Sequence, residues 1–167
     1  MTSLGSVLVL RLSALGDVLF ALPAIQALAR SGAAERITWV VEDRAAALLA
    51  GQPWLDERIE FPRRRTRAWP AHALRLRQRS YDLVLDLQGN LKSRLHLTVL
   101  RAPRKLGYDR PLSKEGAWHA LTERFSPPAS ARHRVAAHMA LIRSLGVDAP
   151  LEAPRPALPL ADQAPAP

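Results

Sequence analysis

An aspartate in a Ser/Gly loop is the first residue of the chain that could do chemistry. The stretch VLVLRLSALGDVLFALPAIQALAR, residues 7–30, runs from an apolar segment into this loop, reaches Asp17 and continues in a helical pattern. Asp17 can act as a general base, because a carboxylate at hydrogen-bond distance can take the proton of an attacking hydroxyl. It can also be a helix N-cap, for which Asp is a favoured residue. Ser13 and Gly16 beside it would let backbone N–H groups approach an anionic ligand.

A second group of candidates is cationic. Its members are Arg63, Arg64, Arg65 and Arg67, followed by Arg75, Arg77 and Arg79. Trp69 and nearby prolines indicate that the first four lie in a loop and not on a simple helix face. The last three are spaced i, i+2, i+4 and cannot share one helical face, so they are interpreted as general basic surface. A solvated charged face is the alternative for the whole series.

A third group follows the apolar stretch YDLVLDLQG, residues 81–89. Its members are Asp86, Gln88, Gly89, Lys92 and Ser93. Asp86 is most simply a strand-end residue and Gly89 a turn glycine. His133 and His138 are five residues apart and point in different directions, so we interpret them as ordinary helix residues.

Composition limits the classes of protein that remain. The 167 residues, 48% of them hydrophobic, suffice for one domain with a core. The chain has no cysteine, and its five histidines lack metal-ligand spacing, so no metal site is expected. No apolar run approaches the roughly 18 residues of a membrane span, and no signal-peptide pattern is present. A cytoplasmic protein is therefore predicted.

A formal charge of +9 and a pI near 11.3 imply an acidic partner. Nucleic acid, an anionic membrane and a phosphorylated substrate all satisfy that condition. Against a nucleic-acid module, aromatic residues make up only 5% of the chain and no zinc-finger, KH or RRM signature occurs. Against a Rossmann-type nucleotide-binding domain, the first turn has neither G-x-G-x-x-G nor G-x-x-x-x-G-K-[ST].

Strand and helix patterns alternate along the chain. Strands are predicted at 6–12, 36–42, 56–62 and 81–89, and helices after Gly16 and at 43–51, 90–101 and 133–146. Pro23 requires the first helix either to bend or to begin near it. This alternation predicts an α/β domain with a Rossmann-like, doubly wound parallel sheet over residues 1–147. Ligands then bind beyond the carboxyl ends of the strands, at loops 12–17 and 87–92. The proline-rich residues 148–167 are predicted to be a linker or an unstructured tail.

Four ordered motifs carry a family resemblance: RLSALGDVLFALPAIQAL, YDLVLDLQGNLKSRL, KLGYDRPLSKEGAW and HRVAAHMALIRSLG. Together they resemble glycosyltransferase family 9, most of all its lipopolysaccharide heptosyltransferases of type I, with RRRTRAW also in the expected place. The resemblance covers residues 6–147. It implies the amino-terminal half of a GT-B glycosyltransferase, in which this domain holds the acceptor and a carboxyl-terminal domain, absent here, holds the donor.

The resemblance also implies a reaction and roles for the candidates. Heptose would pass, with inversion, from ADP-heptose to the 3-deoxy-manno-octulosonate (Kdo)–lipid A inner core, with no cofactor and Asp17 as the base. Arg63, Arg64 and Arg67 would hold acceptor phosphates and carboxylates. Gln88 and Lys92 would face the cleft of Asp17, and Arg110 and Glu115 would line the acceptor side. A peripheral position at the inner face of the inner membrane, no nucleic-acid partner and no activity of this chain alone are further expectations.

Overall fold

Six parallel strands form one sheet in the computed structural model, which describes residues 3–62, 66–110 and 112–148. The strands, in chain order, are β1 Gly5–Leu10, β2 Ala34–Glu42, β3 Glu57–Phe61, β4 Leu83–Asp86, β5 Arg104–Tyr108 and β6 Glu123–Phe125. Their spatial order is β3-β2-β1-β4-β5-β6. Because β1 has β2 on one side and β4 on the other, the winding direction reverses there, which is where open α/β sheets bind ligands.

Helices cover both faces of the sheet. The α-helices are α1 Leu15–Arg30, α2 Trp69–Arg77, α3 Leu91–Val99 and α4 Arg134–Ser144, and short 3₁₀ helices span Asp43–Leu49, Thr66–Ala68 and Ala117–Ala120. Helices α1 and α4 pack on one face with the first 3₁₀ helix, while α2 and α3 pack on the other. No helix within the described residues is long and apolar enough to span a bilayer.

Strand β1 shows why the sheet is buried on both sides. Val7 and Val9 belong to the core beneath α1 and α4, whereas Leu8 and Leu10 belong to the core beneath α2 and α3. All four side chains are fully buried. Successive strand residues point to opposite faces of the sheet. A strand covered on both sides therefore contains a continuous run of apolar residues, as this part of the sequence does.

The predicted doubly wound parallel sheet is confirmed, and all four predicted strands are present. The pattern did not predict β5, which contains Arg104, Lys105 and Gly107, or β6, which has only three residues. It also missed α2, whose exposed side is arginine-rich. The helix predicted at 43–51 is a 3₁₀ helix. Residues 149–167 of the predicted linker lie outside the described residues.

Helix α1 continues through Pro23. It begins at Leu15, so the interpretation that it begins near Pro23 is wrong. Proline lacks the N–H that would bond to the carbonyl four residues earlier, and this normally weakens a helix interior. Here the helix buries Val18, Leu22 and Ile25 completely against the sheet. Burial of that apolar face offsets the missing hydrogen bond.

Candidate active site at the carboxyl edge of the sheet

The carboxyl ends of β1, β2 and β4 lie side by side and place three loops at one edge. Because the strands are parallel and Leu10 is paired with Val40 on one side and Asp86 on the other, the residues after them emerge together. This edge carries Asp17 from the first turn of α1, Glu42 from the end of β2 and Lys92 from the first turn of α3. The loops predicted from sequence to hold the site are therefore adjacent.

Asp17 forms an ion pair with a buried arginine. Its Oδ2 lies 2.6 Å from the NH2 nitrogen of Arg11; the Asp17 side chain is 35% exposed and that of Arg11 only 2%. Oδ2 also accepts a long hydrogen bond, 3.4 Å, from the backbone N–H of Ala14. Ala14 is the N-cap and Asp17 is the third residue of the helix, so Asp17 is not the N-cap residue itself. Its carboxylate still caps the first turn, because it accepts from the N–H of the N-cap residue as in a capping box. The carboxylate lies in the first turn of α1, and its Oδ2 is bound by the buried Arg11 guanidinium.

Arg11 is a residue of the candidate site that was not predicted from the sequence. Its NH1 donates to the carbonyl of Leu87, which ties the end of β1 to the end of β4. Burial lowers the pKa of the guanidinium, and the nearby Asp17 carboxylate raises it. Arginine keeps its charge in proteins even so. Its Nε has no hydrogen-bond partner among the described residues. One signal was available: Arg11 is the only charged residue in the buried run VLVLRL.

Gln88 binds the backbone of the β1–α1 loop, which directly precedes the helix turn that contains Asp17. Its Oε1 accepts hydrogen bonds from the backbone N–H groups of Leu12, at 3.0 Å, and Ser13, at 3.3 Å. The side-chain oxygen of Gln88 is therefore engaged by the protein itself. Gln88 lies at the predicted edge, where its observed contacts position the β1–α1 loop.

Lys92 lies beside a hollow next to that loop. Its Nζ is 2.7 Å from Oε1 of Glu42, whose side chain is 3% exposed. The hollow has a volume of about 190 Å³ and is lined by Ser13, Ala14, Leu15, Glu42, Arg44, Ala45 and Lys92. Two predicted residues, Ser13 and Lys92, thus meet in one concavity. Asp17 does not line this hollow and lies two residues after Leu15, in the first turn of α1.

Asp86 and Gly89 build the turn between β4 and α3. The buried Asp86 carboxylate accepts hydrogen bonds from the N–H groups of Gln88 and Gly89 and from the hydroxyl of Ser93. Burial raises the pKa of Asp86, and these hydrogen bonds oppose that rise. Gly89 has a φ of +65°, and a Cβ there would lie 3.3 Å from the Cα of Ser113. The interpretations of Asp86 as a strand-end residue and Gly89 as a turn glycine fit this geometry.

Arg110 and Glu115 lie at the α3 side of the edge. The Arg110 guanidinium lies over the ring of Trp118, 4.2 Å from its centroid. Oε2 of Glu115 accepts a 2.7 Å hydrogen bond from the N–H of Leu91, at the start of α3. Glu115 therefore stabilises the helix that carries Lys92. At Gly16, by contrast, an added Cβ would meet no heavy atom within 4 Å, so this exposed glycine is not required by packing.

The arginine series divides into two parts. Arg63 and Arg64 lie outside the described residues, whereas Arg67 is exposed in the 3₁₀ turn Thr66–Ala68. For Arg67 the predicted loop is thus a helical turn. Arg75 and Arg79 both pair with Glu57, at the amino end of β3. The interpretation of these two as general basic surface is incomplete, because they form a defined pair of ion pairs far from Asp17 along the strands.

Four aromatic rings pack together, tilted or edge to face, between the end of β3 and helices α2 and α3. They belong to Phe61, Trp69, His72 and His96, with ring centroids 4.8–5.9 Å apart. His96 Nδ1 donates to the Lys92 carbonyl at 2.7 Å, and the two histidine Nε2 atoms are 3.1 Å apart. Burial lowers the pKa of each histidine to about 4, so both rings are neutral near pH 7. His72 Nε2–H then donates to His96.

The other two noted histidines lie at the start of α4. His133 is the N-cap residue, without a side-chain cap hydrogen bond, and lines a hollow of about 260 Å³ together with Phe20 and Arg134. His138 is fully buried, with Nδ1 2.6 Å from the hydroxyl of Tyr108. Burial lowers the pKa of His138 to about 3. His138 is thus part of a buried polar contact between α4 and the end of β5 and is more than an ordinary helix residue.

Residues 69–166, more than half of the chain, match the family model described as glycosyltransferase family 9 (heptosyltransferase). The chain belongs to glycosyltransferase family 9. The predicted resemblance is confirmed, and neither alternative function considered for the sequence is favoured by the match. Among the described residues, no group of three or more His, Cys, Asp or Glu side chains could hold a metal ion.

Relatives within the family are lipopolysaccharide heptosyltransferases. The chain is 32% identical to lipopolysaccharide heptosyltransferase 1 of Pseudomonas aeruginosa, over 77% of this chain and 39% of the relative. It is 27% identical to the lipopolysaccharide core heptosyltransferase OpsX of Haemophilus influenzae, over 85% of this chain and 41% of the relative. The chain therefore spans about two fifths of the length of these relatives.

Solved structures of heptosyltransferases are also similar to this chain. Escherichia coli heptosyltransferase WaaC with ADP superposes with a TM-score of 0.76 at 27% identity, over 87% of this chain and 48% of that one. Escherichia coli ADP-heptose lipopolysaccharide heptosyltransferase II gives a TM-score of 0.72 at 21% identity, over 94% and 47%, and shows the shared fold. This sheet thus corresponds to about half of a GT-B heptosyltransferase.

Proposed function

We propose that the chain is the acceptor-binding half of an ADP-heptose:lipopolysaccharide heptosyltransferase. The observation that carries the proposal is the Arg11–Asp17 pair, in which a buried cation holds one oxygen of a partly exposed carboxylate at the ligand-binding edge. Membership of glycosyltransferase family 9 and similarity to lipopolysaccharide heptosyltransferases supply the reaction class. The acceptor in this proposal is the Kdo–lipid A inner core.

In the proposed reaction Asp17 takes the proton of an acceptor hydroxyl. That oxygen forms a bond to the anomeric carbon of heptose as the bond from this carbon to the ADP phosphate oxygen breaks. ADP leaves with the bonding electron pair, and attack from the opposite side inverts the anomeric centre. Arg11 contributes by fixing the orientation of the carboxylate, because a general base must lie within hydrogen-bond reach of the proton it removes.

The acceptor side of the proposal is cationic. Arg67 is exposed beside the ring cluster, and Lys92 extends from the first turn of α3 into the hollow that Ser13 also lines. Phosphate and carboxylate groups of the acceptor would bind these cations together with Arg63 and Arg64. Gln88 and Glu115 act in this scheme by positioning the loop and the helix that carry Ser13 and Lys92. The exposed surface at Gly16 leaves room for the acceptor next to Asp17.

The donor would bind to a second domain. The chain covers about half of the WaaC structures, which have ADP or ADP-2-deoxy-2-fluoro heptose bound, and we assign the donor to a domain corresponding to the other half. Transfer needs donor and acceptor held in near-attack geometry, so the 167-residue chain should not catalyse it alone. We place the protein in the cytoplasm, in peripheral contact with the inner face of the inner membrane, with no nucleic-acid partner and no metal or other cofactor.

A reconstitution assay tests this proposal. The purified chain is mixed with ADP-heptose and heptose-free lipopolysaccharide, with and without the separately expressed carboxyl-terminal half of the Pseudomonas aeruginosa enzyme. ADP release and the mass of the glycosylated acceptor are measured. We expect transfer only in the mixture, and we expect Asp17→Asn to reduce its turnover by about 100-fold or more while acceptor binding changes little.

Glu35→Gln is the matched control. It also removes one carboxylate charge, but at the amino edge, where Glu35 bonds to Ser3. Its turnover should equal that of the parent chain. Transfer by the 167-residue chain alone would overturn the half-enzyme proposal. Near-normal turnover of Asp17→Asn, with only a lower melting temperature, would instead assign Asp17 a purely structural role.

A further inference from the structure

Three of the five large apolar side chains exposed among the described residues lie on the outer surface of two neighbouring helices. They are Leu74 on α2 and Leu91 and Leu95 on α3, and each is 47–58% exposed. The other two, Leu15 and Phe20, lie on α1. Single exposed leucines are common on protein surfaces. The concentration of three on one face raises the question of what that face contacts.

Helix geometry places these leucines on the side of each helix that faces away from the sheet. On α2, His72 and Leu76 are buried, and Leu74 lies on the opposite side at 100° per residue. On α3, the buried side chains are Ser93, His96 and Leu97, so Leu91 and Leu95 point away from the sheet. Contact between His72 and His96 holds the two helices side by side. The leucines therefore belong to one continuous surface, here called the α2–α3 face.

Cations outnumber acids in this region. Helices α2 and α3 contain no Asp or Glu. Residues 61–108 contain twelve Lys or Arg and two acids, Asp82 and Asp86. Asp86 is buried beneath α3, and Asp82 is bonded to Ser6 at the amino edge. Arg77 is exposed on α2, and the half-buried Arg94 on α3 has its NH1 3.4 Å from the Glu115 carbonyl. Neither helix contributes a carboxylate, and the acid that contacts this face is Glu115, which accepts from the Leu91 N–H.

We propose that the α2–α3 face lies against an anionic lipid bilayer. Leucine side chains enter the boundary between headgroups and acyl chains, while flanking arginines bind the anionic headgroups. Leu91 and Lys92 are consecutive, so this face adjoins the hollow at the candidate active site. A lipid-linked acceptor held in the same bilayer would therefore reach that site from the membrane. This inference rests on the proposed function for its acceptor, but the surface can be tested without one.

Vesicle co-sedimentation tests the surface with the 167-residue chain. The probes are phosphatidylcholine vesicles with and without phosphatidylglycerol, at physiological ionic strength. We expect binding to the anionic vesicles and little to the neutral ones. Leu74→Gln/Leu95→Gln should lower the partition coefficient about tenfold, since two apolar insertions are lost. Arg77→Gln/Arg94→Gln should lower it by a similar factor that shrinks as salt is added.

The matched control is Arg30→Gln/Arg36→Gln, which removes the same charge from exposed positions outside the α2–α3 face. If this control loses as much binding as Arg77→Gln/Arg94→Gln, only net charge matters and the proposed surface is wrong. Equal binding of the leucine variant and the parent would also overturn it. So would self-association, or oligonucleotide binding, that the face variants abolish while vesicle binding stays intact.

Reconstituted transfer distinguishes a failure of this surface from a failure of the proposed function. With a detergent-dispersed acceptor, Leu74→Gln/Leu95→Gln should keep the transfer rate of the parent. With the acceptor embedded in anionic vesicles, its rate should fall with its vesicle binding. Absence of transfer in every mixture would reject the function and leave the vesicle result standing. Equal rates of variant and parent on both acceptor forms would reject the role of the surface.

Discussion

The two edges of the sheet use ion pairs in different ways. At the carboxyl edge each pair joins one buried and one exposed partner: buried Arg11 with Asp17, and buried Glu42 with Lys92. At the amino edge Glu57 pairs with Arg75 and Arg79, and none of the three is buried. Exposed ion pairs contribute little to stability, whereas a buried charge needs its partner. The carboxyl edge therefore fixes its exposed charges at defined positions, which suits a reacting site.

The largest difference between the edges should appear on replacing Arg11. Arg11→Met leaves Asp17 in place but removes the cation that holds its Oδ2, and misplacement of a catalytic group costs about 100-fold in rate. We expect kcat of the reconstituted enzyme to fall by that order with KM nearly unchanged. Stability should fall by only about 1 kcal/mol, because the Leu87 carbonyl loses one hydrogen bond while the cost of burying the guanidinium disappears.

Arg11→Lys separates positioning from packing. A lysine ammonium can bind the carboxylate of Asp17 or the carbonyl of Leu87, but it lacks the fork that binds both. Turnover of this variant should lie between those of Arg11→Met and the parent. Unchanged turnover in Arg11→Met would show that the carboxylate is oriented without the buried cation, and the contrast between the edges would then have no catalytic meaning.

Burial of a histidine near the carboxyl edge should also make the stability of the fold sensitive to acid. His138 lies beside Tyr108 at the end of β5, and burial lowers its pKa to about 3. The unfolded chain binds a proton at this residue near the ordinary value of about 6.5, so acid favours unfolding. Stability is fully present above about pH 6.5 and falls by about 1.4 kcal/mol per pH unit on going from there towards pH 3.

Urea unfolding at a series of pH values checks this dependence. The parent chain carries His72, His96 and His138 as buried neutral rings, and its stability should fall between about pH 6.5 and about pH 4 as all three are protonated on unfolding. His138→Gln should reduce that slope by one proton, whatever its effect on absolute stability. An identical slope in variant and parent would mean that His138 does not titrate with unfolding.

Sequence patterns predicted the sheet better than they predicted its edge. The apolar runs around Leu8 and Val84 identify buried strands because both faces of a parallel sheet are covered. Loops after consecutive strands could then be assigned to one edge, which brought Asp17, Ser13 and Lys92 together. Arg11 could not be assigned, since a charge at the end of a strand shows neither its partner nor its burial. The pairing of Glu42 with Lys92 joins residues fifty positions apart and depends on the packing of α3.

The second ion pair of the carboxyl edge contains the buried carboxylate of Glu42. Lys92→Met removes its cationic partner at 2.7 Å while the Glu42 side chain remains buried. Removing the ammonium that neutralises a buried carboxylate is costly, and we expect the free energy of unfolding to fall by on the order of 2 kcal/mol. Glu42→Gln/Lys92→Met should recover part of the loss, because the amide needs no counter-ion. Equal stability of the single and double variants would remove Glu42 from this class of pairs.

The smallest effect is expected at the amino edge. Glu57→Gln removes the carboxylate shared by Arg75 and Arg79, all of which lie in contact with solvent. Its unfolding free energy should fall by less than about 1 kcal/mol, and by less still at high salt, because exposed pairs are weak and screened. Turnover of the reconstituted enzyme should stay at the parent value, since Glu57 lies at the opposite end of the strands from Asp17. A loss of turnover comparable to that of Arg11→Met would show that the two edges are coupled. The separation of the two edges would then be wrong, because an exposed ion pair at the amino edge would be controlling the geometry of the catalytic groups at the carboxyl edge.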